Sequence, residues 1–271
     1  MTAALHTDLI YDVGLHLGED SEFYLKKGFR VVAVEAVPKL AQLAAERLSA
    51  YVASGKLTIL NVAIAERTGP LSFYTSPGRS VWGTASRDWA ERNLHLGQPS
   101  VETTVQGVTF GSILAKHGVP YYLKIDIEGS DLLCLHALHG FEVKPKHVSI
   151  ESSKTSWKDL VNEFDLLEGL GYKRFKVVPQ HTVFRQRCPV PPREGDFVEH
   201  SFVPGATGLF GEEAPGRWLT KAEAMRRYRF IFAHYKLLGY EGPSTVRHKV
   251  QNALLRMRAP GPGWYDTFAM R

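Results

Sequence analysis

The stretch from Leu9 to Pro38, LIYDVGLHLGEDSEFYLKKGFRVVAVEAVP, constrains this chain more than any other. An apolar run ends in Asp12-Val13-Gly14, Gly18 follows, and a helical pattern runs from Glu19 to Lys27. A second apolar run, Val31 to Val34, closes on Glu35. Strand, glycine loop, helix, strand, acid is half of a nucleotide-binding α/β unit. Gly14 and Gly18 let backbone approach a ligand with no Cβ in the way. An acid at the tip of the second strand can accept both hydroxyls of a ribose. A glycine-rich βα turn without a ligand would show the same glycines, but Glu35, 21 residues after Gly14, weighs against it.

The loop also discriminates among nucleotides. A dinucleotide site wants G-x-G-x-x-G, so that a pyrophosphate can sit on the helix N-terminus. Here the spacing is D-x-G-x-x-x-G, with His16 inside the loop and Glu19 and Asp20 opening the helix. Two carboxylates there repel a pyrophosphate and suit a cofactor whose charged group is an ammonium, as in S-adenosylmethionine (SAM).

Further along, strand and helix patterns alternate, which argues for a mostly parallel sheet with helices on both faces. Strands are expected near 9–13, 30–35, 57–63, 121–127, 147–151 and 172–178, and helices near 19–27, 38–53, 130–138 and 156–170. The block 64–120 is longer than one crossover needs. It reads as a short strand LSFYT, a loop, a helix from Ala85 to Leu96, a strand near 101–107 and a helix near 110–117, an insertion placed for substrate contacts. The core is thus expected over 1–185. An extension over 186–271 opens with a Gly/Pro-rich stretch and holds a helix near 220–239. The segment from Pro189 to Trp218 reads as a lid or a connector. Its Phe197, Phe202 and Phe210 favour a lid with an apolar inner surface.

Bulk properties exclude several classes. Two cysteines, Cys134 and Cys188, are too few for a disulfide framework. No apolar run approaches the roughly 20 residues of a membrane span, and the N-terminus lacks a basic leader region, so a cytoplasmic protein is expected. The net charge is +5. Much of the excess lies in Arg226, Arg227, Arg229, Lys236, Arg247, Lys249, Arg256 and Arg258, read as the solvated face of helices because no nucleic-acid-binding signature accompanies it. The oligomeric state stays open, a homodimer being one option.

The second constellation is YYLKIDIEGSD, 121–131. Alternation along a strand puts Lys124, Asp126 and Glu128 on one face. Charges on a central strand are costly unless paired or used. The site reading places Asp126 and Glu128 beside the crevice where open α/β sheets bind ligands. The structural reading is a Lys124–Asp126 ion pair. Glu151 is a third acid at a strand tip, and Asn61 a polar side chain at the end of the third strand, where a turn-forming Asn is an equal option. Mg²⁺ held by Asp126, Glu128 and Glu151 is conceivable, but the expectation is a site without metal. His136, His139 and His147 could suggest a metal, but exposed or capping histidines are the favoured reading, and Cys134 reads as a small core residue.

These residues together, DVG-x-x-x-G, VEAVP, LNVAIAERTGPLSFY and LKIDIEGSD with a downstream SIE, resemble the FkbM family of SAM-dependent methyltransferases over roughly 9–178. The resemblance implies the Rossmann-like class I methyltransferase fold, with a mostly parallel seven-stranded sheet. It implies that Asp12, Gly14, His16 and Gly18 form the SAM loop, that Glu35 and Ala36 hold the ribose, and that Asn61 to Ala63 border the adenine. Asp126 and Glu128 would lie near the methyl group; the site reading makes Asp126 the base or base-positioner and has Glu128 and Glu151 orient the acceptor. The family often carries EG-x-E, where this chain has the shorter Asp131. Members mostly methylate hydroxyls of polyketides, sugars and other secondary metabolites, and some methylate nitrogen. The expected partner is therefore a small-molecule or glycan acceptor. N-methylation of a small molecule or peptide, a nicotinamide oxidoreductase and a non-catalytic SAM-binding protein are the alternatives.

Overall fold

The computed structural model describes residues 3–76, 83–95, 97–153, 156–238 and 264–271. The strands are β1 (Leu5–Val13), β2 (Arg30–Val34), β3 (Leu57–Leu60), β4 (Ala63–Ile64), β5 (Gly69–Thr75), β6 (Val101–Val108), β7 (Val119–Ile125), β8 (His147–Glu151), β9 (Arg174–Pro179) and β10 (Tyr265–Met270). The helices are α1 (Glu19–Lys26), α2 (Pro38–Arg47), α3 (Ser49–Ala53), α4 (Arg87–His95), α5 (Phe110–His117), α6 (Asp131–Leu138), α7 (Trp157–Gly169) and α8 (Lys221–Leu238).

Seven strands form the main sheet in the order β3-β2-β1-β7-β8-β10-β9. All pairs are parallel except the two made by β10, which is antiparallel to both neighbours. The stretch expected as one strand over 57–63 divides. Its first half joins the main sheet, and Ala63–Ile64 turns away into a second sheet, β4-β6-β5. The expected helix over 38–53 likewise breaks at Leu48 into α2 and α3. Pro38 starts α2, where its missing N–H costs nothing.

Period-two alternation divides β1 between two cores. Leu9, Tyr11 and Val13 face the apolar layer of α5 to α8, while Ile10 faces the layer built by α1. On α8, Ala224, Tyr228 and Ile231 recur at helical spacing and are buried in the first layer. Arg226, Arg229 and Lys236 are exposed on α8. Arg247, Lys249, Arg256 and Arg258, and Leu96 in the expected fourth helix, lie outside the described residues.

The segment from Pro189 to Trp218 packs on the core through part of its length, and its 204–207 stretch lines the cavity. Phe202 and Phe210 are buried in the second core layer with Phe23, Tyr24 and Tyr122. Phe210 stacks on Tyr122 with ring centroids 4.9 Å apart. Phe197 is exposed. A buried ion pair fastens the segment to α1: Lys27 Nζ lies 3.0 Å from Glu213 Oε2 and donates to the carbonyl of Asp196 at 2.9 Å. Glu213 also accepts the N–H groups of Arg193 and Glu194. Glycine and proline content signalled irregular backbone here. The burial follows from aromatic side chains that only tertiary packing could place.

Candidate functional site

The carboxyl ends of the main-sheet strands open into a cavity of about 580 Å³. This is within the range of small-molecule sites, at the edge where open α/β sheets bind ligands. Seven carboxylates and one lysine line it, an electrostatic setting that favours a cationic ligand group.

At one end stands Glu35, just past β2. Its Oε2 accepts the N–H of His16 and its Oε1 the N–H of Val37, both at 2.8 Å. Burial lifts its carboxyl above the ordinary value, against the pull of those two amides. Each oxygen keeps a lone pair for a further donor. Asn61 braces the same turn, donating to the carbonyls of Glu35 at 2.8 Å and Ala36 at 3.2 Å.

The glycine loop is shaped by the protein's own atoms. A Cβ on Gly14, at φ +96°, would meet the carbonyl oxygen of Asp126 at 1.9 Å, and one on Gly18 would meet Leu48 at 2.8 Å. His16 is also left-handed, at φ 53°. Glu19 lines the cavity. Burial works against its charge, but His16, 3.5 Å away, helps hold its carboxyl below the ordinary value. Asp20 is buried and accepts the N–H of Thr207 at 3.0 Å, which ties the 204–207 wall of the cavity to α1.

Asp12 is fully buried, accepting Lys124 Nζ at 2.8 Å and Ser21 Oγ at 2.7 Å. In place of the structural alternative, a Lys124–Asp126 pair, Lys124 pairs across β1 and β7, whose register sets Asp12 opposite it. Burial pulls the Lys124 ammonium down, but Asp12, Asp20 and Asp126 outweigh it and keep it well above the ordinary value.

Strand β7 stops at Ile125, so alternation does not extend to Glu128, which sits in the left-handed region at φ 49°. Asp131 holds this turn, accepting the N–H groups of Ile127 and Gly129 at 3.0 Å each. The turn is also clamped from the 64–120 insertion: Thr84 donates to the Glu128 carbonyl at 2.6 Å, and Trp89 of α4 packs so that a Cβ on Gly129 would lie 2.5 Å away. Asp126 is half-buried. Burial pushes its carboxyl up to about 7, with Lys124 opposing and Glu151 and Asp131 adding to the rise.

The structure brings Gly14, His16, Glu35, Ala36, Ala63, Asp126, Glu128 and Glu151 to the cavity wall. Asp12, Gly18 and Asn61 stand behind it. Sequence reasoning missed Asp266 of β10, whose register partner is Glu151 and whose carboxyl burial raises well above the ordinary value. It also missed Gln180 and His181 after β9 and Trp264 before β10, while Pro204 to Thr207 of the cavity wall belong to the segment read as a lid or a connector. The one available signal was the apolar run WYDTFAM, broken by a single acid.

The chain belongs to the FkbM methyltransferase family: the methyltransferase FkbM domain matches residues 12–174. As a methyltransferase of this family its cofactor is SAM. No curated protein matches the sequence. Among solved structures it is similar to a SAM-dependent methyltransferase from Archaeoglobus fulgidus, at 12% identity and a TM-score of 0.39, over 98% of this chain and 87% of that one. It is also similar to precorrin-6y C5,15-methyltransferase from Geobacter metallireducens GS-15, at 13% identity and a TM-score of 0.36, over 65% of this chain and 69% of that one. The residues present fit SAM: Glu35 has lone pairs for a ribose, and the acid-rich wall complements an ammonium and a sulfonium. Among the described residues no cluster of His, Cys, Asp and Glu could hold a metal ion, and no helix is long and apolar enough to cross a membrane.

Proposed function

We propose that this methyltransferase acts on a hydroxyl of a small-molecule natural product or glycan. One observation carries the reading: Asp126, a half-buried carboxylate pushed up to about 7, shares a cavity with the Glu35 turn. An alcohol is a poor nucleophile until a positioned base takes its proton, and such a base works best with a pKa near the working pH. On this reading Gly14, His16, Glu35 and Ala36 hold the cofactor, with Ala63 bordering its adenine. Bound SAM supplies an electrophilic methyl group on a sulfonium. Asp126 accepts the acceptor hydroxyl proton, and Glu128 and Glu151 orient the acceptor. The lining carboxylates lower the local potential and keep the acceptor close and aligned.

Incubation with SAM carrying an isotopically labelled methyl group tests this, using matched panels of hydroxylated and amine-bearing acceptors read by mass spectrometry. Labelled methyl ethers are expected. Label found only on nitrogen would replace the reading with N-methylation.

A further inference from the structure

The apolar part of the cavity wall is not uniform. Around the Glu35 turn its members Val34, Ala63 and Phe73 are buried. Among the described lining residues, three apolar side chains stay exposed: Phe184, Pro204 and Trp264. Phe184 keeps 48% and Trp264 46% of its surface open, so both rings border free space instead of sitting packed behind the wall. Single exposed apolar side chains are ordinary. Three from separate segments at the mouth of one cavity mark a place for an apolar partner. Trp264 leads into β10 two residues before Asp266, and both line the cavity. Asp266 is the register partner of Glu151. Burial raises its carboxyl, and the charges of Asp126 and Glu151 add to the rise. Trp264 therefore stands at the end of the cavity that holds Asp126. Phe184 belongs to the 3-10 turn Gln180–Arg185, tied to this strand entry by the Gln180 N–H, which donates to the Trp264 carbonyl at 2.8 Å. The Arg185 guanidinium lies 5.3 Å from the Phe184 ring centroid, a cation–π contact. Phe184, Pro204 and Trp264 all lie beyond residue 174, where the family match ends.

We propose that Phe184, Pro204 and Trp264 form the acceptor-ring subsite of this cavity, selecting an acceptor that carries its hydroxyl on a flat ring, aromatic or pyranose, over an open-chain alcohol. The proposal rests on the reading of this cavity as the site of methyl transfer to a hydroxyl. An aromatic side chain offers a flat face with negative charge density above it. Another aromatic ring stacks on that face with an offset, and a pyranose lays its row of C–H bonds against it. An open-chain alcohol has no such face, and holding it still costs more rotamer freedom. A ring seated on Trp264 also fixes the direction of its hydroxyl, which is the positioning that an in-line methyl transfer needs.

Two matched pairs serve as probes: phenol against 1-hexanol, and methyl β-glucopyranoside against sorbitol. They are titrated by ligand-observed NMR against the full chain, with and without saturating S-adenosylhomocysteine. In at least one pair the ring member should bind roughly three- to tenfold tighter than its open-chain partner, and the pair that does so names the ring as aromatic or pyranose. Phe184→Ala and Trp264→Ala should each weaken that ring probe by roughly three- to tenfold. Trp264→Phe, which keeps an aromatic face, should retain most of the binding. The S-adenosylhomocysteine affinity and the melting temperature of all three variants should stay as in the parent, because both side chains are half-exposed. No ring preference in either pair, or ring-probe binding unaltered in both Ala variants, overturns the proposal. So does a loss of S-adenosylhomocysteine affinity or a marked fall in melting temperature in the Ala variants, which would make the rings part of the cofactor site or of the core. The titrations need no methyl transfer. Labelled methyl found only on nitrogen would sink the hydroxyl reading, while the probes would still decide the ring subsite.

Discussion

At the scale of single residues, two carboxylates near the cofactor loop differ in kind. Asp12 is fully buried behind the cavity wall, where it pairs with Lys124 and accepts the Ser21 hydroxyl. Glu35 spends one lone pair on each of two amides and keeps others for a ligand. Charge-assisted hydrogen bonds contribute about 1.5–3 kcal/mol each. Glu35→Ala should therefore weaken S-adenosylhomocysteine binding by two to four orders of magnitude, roughly, in calorimetry. Glu35→Gln should lose less, because it still accepts the His16 N–H. Asp126→Asn is near-isosteric and removes a base, so turnover should fall by roughly 10²–10⁴. The wild-type kcat/KM should rise with pH through about 7, as the Asp126 carboxyl ionises, and that limb should vanish in the variant.

At the scale of elements, the Pro189–Trp218 segment is anchored in the core by Phe202 and Phe210. Phe210→Ala should lower stability by about 3–5 kcal/mol in denaturant melts, while the folded fraction binds S-adenosylhomocysteine as the parent does. Legibility in the sequence followed the same division between local and tertiary causes. β1, α1 and β2 could be read because period and punctuation are local: apolar runs, two glycines and a terminal acid. β10 could not, because its six residues follow a Gly/Pro-rich stretch and pair with strands far away in sequence. The carboxylates of the site were legible where they sit at tips of recognised strands, as Glu35 and Glu151 do. Asp266 was hidden because its strand was. Glu128 was placed on a strand face, but a turn held by Asp131 set its backbone, and Asp131 in the sequence marked only a shorter side chain than expected.

At the scale of the whole molecule, buried acids give stability a pH dependence opposite to that of surface ion pairs. Burial pushes Asp126 up to about 7 and Glu163 up to about 8, and raises Asp266 well above the ordinary value. The native state thus keeps protons that the unfolded chain releases near pH 4. Where the native form binds more protons, stability falls as pH rises. Chemical denaturation should therefore show the unliganded protein losing stability progressively from about pH 4 to about pH 8. Asp266→Asn should flatten part of that slope, because an amide replaces a carboxyl held neutral. The placement of β10 has a further consequence, for the nascent chain. Residue 266 pairs with residue 151, 115 positions earlier. A ribosome therefore releases β8 and β9 long before the strand that joins them, leaving a slot about 10 Å wide, two strand spacings, with unpaired amides along both rims. Until β10 arrives, that slot is open to docking by a stray strand, and a chaperone that shields it would protect this half-made sheet from aggregation.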